Sequence, residues 1–244
     1  MQNRRQFTRG VAFGIAQCEI QGRHDRRHPP DVMNTPRFSE GLVFVDEHLL
    51  VMDKPSGLLA VPGRGADKQD CLSARAQRLW PDALIVHRLD MATSGLVLMG
   101  RGLHMQRVLS RAFAERLVAK RYEAVVAGSM NGDEGVIDLP VGRDWPNRPL
   151  QKVDHEQGRP SVTHWRVLAR GEDSTRLALE PVTGRTHQLR VHLQAIGHPI
   201  LGDALYAPPA VCERAARLAL HASALAFAHP ASGEPLAFTS AAPF

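Results

Sequence analysis

The chain has 244 residues and a mass of 26.8 kDa, and 43% of its residues are hydrophobic, which suits one substantial domain with a buried core and excludes a wholly disordered chain. No run approaches the ~18 uninterrupted apolar residues of a membrane helix, and Cys18, Cys71 and Cys212 are too scattered for a disulfide framework or a Cys-x-x-Cys metal site, so a reduced, cytoplasmic protein with no membrane partner is expected. The formal charge of +5 is concentrated in residues 1–37, where seven Arg face three acidic residues; the remainder is close to neutral, so a nucleic-acid claim has to rest on local clusters and chemistry rather than on global charge.

Residues 1–37 show no clear period and end in a His/Arg/Pro run, Arg23 to Pro30. Asn3-Arg4-Arg5-Gln6-Phe7 has a twin-arginine look, but the apolar run Val11 to Ala16 is too short for a signal segment and no small-residue cleavage pattern follows. A disordered basic extension is expected, with Met33 as an alternative start. From residue 38 the chain becomes regular. Leu42–Val45 and Leu49–Met52 read as strands around the turn Asp46-Glu47-His48. Residues 71–80 suit a short helix stopped by Pro81, Gly95–Met99 an apolar strand, 103–116 an amphipathic helix, and Val118–Val126 a strand. Residues 132–160 read as loop. Ser161–Ala169 and Thr175–Glu180 are predicted strands, and Thr186 is expected to cap a helix whose Leu189, Leu193 and Ile196 face inward until Gly197 and Pro199 end it. Residues 215–221 form a short apolar stretch, and Leu225–His229 and Leu236–Thr239 are predicted to close the chain as paired strands. Hairpin-length links and irregular strand–helix alternation predict an α+β fold: a mixed, largely antiparallel sheet with helices packed on it.

Two clusters carry chemistry-bearing side chains. In His87-Arg88-Leu89-Asp90-Met91-Ala92-Thr93-Ser94-Gly95 an aspartate sits among cations just before an apolar strand. Taken alone, this segment is more readily an Asp-Thr-Ser turn than a functional loop. The second cluster, Thr183 to His192, gathers Arg185, His187, Arg190 and His192 around a helix start. It is equally compatible with an anion seat and with a solvated basic face. Arg190, about 100° round the helix from Leu189, is placed at the edge of a pocket. His187 and His192 are five apart, a poor spacing for two metal ligands on one helix face, and there is no P-loop, GxGxxG, GxSxG or HExxH motif. The expected chemistry therefore needs neither a metal nor a cofactor.

The ordered blocks Asp53-Lys-Pro-Ser-Gly-Leu-Leu59, Val61-Pro-Gly63, His87 to Gly95, Lys120-Arg-Tyr122, Thr183 to His192, Gly197 to Asp203, Tyr206 and Leu220-His221 resemble the RluA family of RNA pseudouridine synthases over residues 42–244. Asp144 to Pro149, Gln151-Lys-Val153 and the Met-Ala after Asp90 resemble the branch that modifies both a 23S rRNA hairpin and the anticodon stem-loop of tRNAs. That resemblance implies one catalytic domain over 38–244 with a central catalytic cleft and no preceding RNA-binding domain. It implies an isomerisation: the N-glycosidic bond of a uridine breaks, the uracil rotates, and C5 joins the ribose C1′.

By the same resemblance Asp90 is the catalytic aspartate, open to attack on C1′, attack on the base, or a glycal route. Arg190 is the arginine that pairs with it. Tyr122 is the active-site tyrosine, its ring stacking on the extruded uracil and its oxygen a candidate base for the C5 proton. Arg88 enters the space left by the flipped nucleotide. Arg185 and His187 are candidates for phosphate or target-loop contacts. The implied partners are 23S rRNA and tRNA stem-loops presenting a flipped-out uridine, bound by a monomer; the same chemistry on another rRNA or tRNA site is the alternative.

Overall fold

Two apolar runs form the centre of the molecule, whose computed structural model describes residues 41–244; the expectations for residues 1–37 and for Met33 lie outside the described residues. β1 (Leu42–Val45) turns back antiparallel onto β2 (Leu49–Lys54), which pairs antiparallel with β4 (Ser94–Arg101). The alternation of strand side chains sends Leu50, Met52, Val97 and Met99 to one face and Leu49, Val51, Leu96 and Leu98 to the other. Each face is covered. α1 (Leu72–Leu79) packs Leu72 and Ala76 on the first, and α2 (Gly102–Ala114) packs Leu109 on the second. Burial on both faces is why these strands read as unbroken apolar runs rather than alternating ones. Between α1 and β4 a short strand, β3 (Ala83–Ile85), pairs with β4.

β5 (Ala119–Ala127) follows α2. Next come β6 (Glu134–Asp138), then β7 (Val141–Arg143) and β8 (Gln151–Val153), which pair as a separate two-stranded hairpin. The expected loop over 132–160 is thus corrected to three strands. β6 is an edge strand with Val136 57% exposed, and β7 and β8 have three residues each, too few to show a period. β9 (Val162–Arg170) and β10 (Ser174–Pro181) form a long antiparallel pair. α3 (Gln188–Ala195) and the single-turn α4 (Pro209–Cys212) precede β11 (Leu220–Ala228) and β12 (Pro235–Thr239). β11 begins at Leu220 rather than at the expected Leu225, so the short apolar stretch before it is partly strand.

The main sheet runs β1-β2-β4-β11-β5-β10-β9-β6, with β12 on β11 and β3 on β4. Among the named strands of the described residues, β11 and β4 pair in parallel, through His221 with Ser94 and Ala222 with Gly95; the other strand pairings there are antiparallel, so the sheet is largely antiparallel as expected. That parallel seam joins the two halves of the sheet. It demands glycine at position 95, where φ is 112° and a Cβ would lie 2.4 Å from the Ala222 carbonyl oxygen. Behind the seam, Ser94 Oγ bonds His221 Nδ1 at 2.8 Å, and His221 Nε2 bonds Ser240 Oγ, whose hydroxyl donates to Asp53. On the other half, α3 buries Leu189 and Leu193 against Leu177 and Leu179 of β10 and Ala124 of β5. No described helix is long and apolar enough to cross a membrane.

Candidate active site

Three elements meet at one end of the sheet: the loop before β4, strand β5 and helix α3. They wall a cleft of about 520 Å³ lined by Asp90, Tyr122 and Arg190 together with Arg88, Arg185 and His187. All six residues singled out from the sequence therefore converge, although they lie up to about one hundred positions apart.

The Asp90 loop is tied down from behind. Gly57 N–H donates to the Met91 carbonyl at 2.8 Å and Ser56 Oγ to the Ala92 carbonyl at 2.7 Å. Lys54, fully buried at the end of β2, spends its ammonium on the carbonyls of Pro55, Leu58 and Met91 at 2.8, 2.7 and 3.1 Å. Burial lowers its pKa to about 8, despite the opposing charges of Asp90 and Asp53. A turn does form, with Thr93 N–H on the Asp90 carbonyl at 3.1 Å. Among the described residues, however, the Asp90 carboxylate takes no hydrogen bond from its own loop. It faces the cleft, with Oδ2 3.7 Å from Arg190 Nη1 and 3.8 Å from His187 Nε2.

Arg190 lines the cleft, as its position relative to Leu189 suggests, yet is only 4% exposed. Its first partner is Asp203, through Nε at 2.8 Å and Nη2 at 2.5 Å, a bidentate pair with Asp203 fully buried. Burial alone would lower the arginine pKa; the hydrogen bonds and charge of Asp203, then the charge of Asp90, outweigh it and raise it. Asp203 also accepts from Leu205 and Tyr206 N–H. The preceding Gly202 has φ 71° and leaves no room for a Cβ, which would fall 1.9 Å from the Arg217 carbonyl oxygen.

His187, not Thr186, occupies the N-cap of α3, in the left-handed region at φ 55° and with no capping side chain. The approach loop is held instead by Gln188, whose Oε1 accepts from Arg185 N–H at 3.0 Å and from Thr183 Oγ1 at 2.8 Å. This twist turns the His187 imidazole towards Asp90. Its Nδ1 lies 2.6 Å from the Tyr206 hydroxyl, which also accepts from Gln151 N–H at 2.9 Å. The Tyr206 hydroxyl thus joins the Gln151 backbone to the His187 ring, whose Nε2 is on the Asp90 side. Burial lowers the His187 pKa, partly opposed by Asp90. His192 is buried elsewhere, between Thr163 Oγ1 and the Leu139 carbonyl, and among the described residues no three metal-ligating side chains cluster.

Tyr122 packs between two core clusters with its hydroxyl end in the cleft. Burial first, then the Asp90 carboxylate, pushes its phenol above the ordinary value. Lys120, Arg116, Arg88 and Arg185 also line the cleft, and among the described residues none of them is ion-paired. Cations that lack carboxylates therefore gather in this one place on a body of nearly balanced charge. Asp203, Tyr206 and Lys54 were visible in the sequence only as parts of the matching blocks, because their partners lie 13 to 55 positions away. Arg116 has a positive φ of 63° and left no signal in the sequence.

The sequence model of the RNA pseudouridylate synthase family matches residues 48–195, which is more than half of the chain and contains Asp90, Tyr122 and Arg190. The chain belongs to the RNA pseudouridylate synthase family. Among curated members, it is 52% identical over 191 residues to the dual-specificity RNA pseudouridine synthase RluA of Vibrio cholerae, covering 78% of each chain. It is 48% identical over 204 residues to the protein of that name from Escherichia coli, covering 83% of this chain and 93% of that one. Human RNA pseudouridylate synthase domain containing 1 superposes with a TM-score of 0.70 at 29% identity, over 86% of this chain and 87% of that structure. The chain is thus an isomerase acting on RNA, and its α+β fold is that of its structural neighbours.

Proposed function

We propose that this pseudouridine synthase isomerises loop uridines in both 23S rRNA and the anticodon stem-loop of tRNAs, as a cytoplasmic monomer. The carrying observation is the convergence of Asp90, Tyr122 and Arg190 on one cleft, with Asp90 held 3.7 Å from a buried guanidinium. Asp90 is the reacting carboxylate, and Arg190, itself fixed by Asp203, places a buried guanidinium beside it. His187 Nε2 lies 3.8 Å from the same oxygen, a position closer to the reacting group than a phosphate contact requires. Tyr122 supplies a ring for the extruded uracil and a hydroxyl within the cleft.

The cleft admits one nucleotide, so a target has to leave its stack. Flipping costs a few kcal/mol in a duplex and less in a loop. Arg88, exposed on the cleft wall two residues before Asp90, is placed to fill the vacated space. The unpaired cations Arg116, Lys120 and Arg185 suit the flanking phosphates.

The test is release of tritium from RNA labelled at uridine C5, with a tRNA anticodon stem-loop and a 23S hairpin as separate substrates. Release from both is expected, and Asp90→Ala should abolish it while RNA binding stays within about tenfold. Release from one alone restricts the target. Turnover persisting in Asp90→Ala overturns the role of that residue.

A further inference from the structure

The β7–β8 hairpin carries a feature that the cleft chemistry does not use. At its tip Trp145 is 57% exposed, with two guanidinium groups near its ring: Arg143 Cζ at 5.3 Å and Arg148 Cζ at 5.1 Å from the ring centre. Among the described residues neither arginine has an acidic partner. The nearest acid in sequence, Asp144, is turned to Asn147, whose side-chain amide donates to it at 2.9 Å. The tip is held in shape by Asp144 N–H on the Leu150 carbonyl, Asn147 N–H on the Asp144 carbonyl, and Leu150 N–H on the Asn147 carbonyl. An exposed tryptophan on a braced loop loses little freedom when something stacks on it.

The strand end next to this tip is wired to the neighbourhood of Asp90. Gln151, the first residue of β8, donates its N–H to the Tyr206 hydroxyl; Tyr206 bonds His187; and His187 faces Asp90. The platform is therefore joined through Tyr206 to His187 of the cleft wall, close enough for RNA that delivers a uridine to Asp90 to extend past it.

We propose that Trp145, with Arg143 and Arg148, is a second RNA-binding site: a platform on which an unstacked base of the substrate loop, other than the target uridine, stacks while the two arginines meet its flanking phosphates. Proteins bind single-stranded RNA by this combination of aromatic face and guanidinium charge. An apolar protein partner suits the site less, since it would have to strip water from two unpaired guanidinium groups. The inference rests on the RNA-modifying reading above and makes the hairpin a determinant of which loops are accepted.

The experiment measures Kd of the full-length protein for a stem-loop RNA and for the same RNA with single abasic sites scanned through the loop. Wild type, Trp145→Phe and Trp145→Ala are compared. Trp145→Ala is expected to weaken binding roughly 5- to 100-fold, the range that about 1–3 kcal/mol of stacking corresponds to, and Trp145→Phe less. One abasic position should weaken wild type by a similar factor and have no further effect in Trp145→Ala. The variant changes an exposed tip, so an unaltered melting temperature is expected and shows that the loss is local. Binding by Trp145→Ala within twofold of wild type overturns the inference, as do identical abasic penalties in both proteins. Tritium release by the wild type separates the two readings: no release from any stem-loop counts against the RNA-modifying function, whereas release with no effect of Trp145→Ala counts against the platform alone.

Discussion

Arg190 holds Asp203 by two hydrogen bonds and presents its remaining nitrogen to Asp90 at 3.7 Å. One guanidinium thus serves Asp203, which is fully buried, and the Asp90 carboxylate, which faces the cleft. The arginine is immobilised by Asp203, and Asp90 is not tied up in a tight bidentate bond.

Removing the structural partner should therefore hurt twice. Asp203→Asn leaves a buried guanidinium without its bidentate partner, a loss on the order of 3–5 kcal/mol, or about 6–20 °C in Tm for a chain of this size. The single-turnover rate should fall more than RNA affinity does, because Arg190 loses its aim at Asp90. Replacing both partners, Arg190→Met with Asp203→Leu, should recover part of the stability and none of the activity. A single variant that melts within 1 °C of wild type would remove this account.

Tyr122 offers a sharper distinction between ring and hydroxyl. Tyr122→Phe keeps the stacking surface, so RNA Kd should stay within about threefold. If the hydroxyl takes part in proton transfer, the rate should fall on the order of 10²–10⁴-fold. Because burial and Asp90 raise the phenol above its ordinary value, the wild-type rate should not climb between pH 8 and 10. A rise there that disappears in Tyr122→Phe would show that the phenolate is the active form.

Acid should destabilise the fold through His87. Its ring, half-buried at the cleft wall, is stacked 4.3 Å from Phe113, with Nε2 accepting from Leu98 N–H at 2.9 Å. Burial, then the Lys120 charge, lowers its pKa to about 3. The unfolded chain takes up this proton near its ordinary 6.5 and the folded chain only near 3. Between those values the unfolded state binds more protons, so stability falls as pH drops, by about 1.4 kcal/mol per unit from this group. His87→Gln retains an acceptor for Leu98, and its Tm should decline less steeply from pH 6.5 to 4. His187, His192 and His221, all with lowered values, are common to both proteins and cancel in the difference. Parallel Tm curves for the two would refute the assignment.

How much was legible follows from the distance over which each feature is specified. The strands around Leu49–Met52 and Leu96–Met99, α1 and α2 were readable because apolar period and stop signals are local. The Asp90 segment and the Thr183–His192 segment were readable as motifs, since each is contiguous. Residue 187 shows the limit: helix-start chemistry pointed to Thr186 as the cap, but the cap is a left-handed His187 because Gln188 anchors the approach loop to Thr183 and Arg185. The hairpin that carries Trp145 was hidden for a different reason, its strands being too short to impose a period.

The amino-acid sequence by itself determined the fold class and, through contiguous blocks that resemble one family, the class of chemistry. Only the tertiary structure decided which charges face each other. Lys54 finds Met91, Arg190 finds Asp203 before Asp90, and Tyr206 joins Gln151 to His187. The first depends on β2 lying beside β4, the others on the packing of α3 against β5 and β10. The physical reason is that a buried charge takes whichever partner the close-packed core brings within hydrogen-bonding distance, and that distance is set by the order of strands in the sheet rather than by any local run of residues.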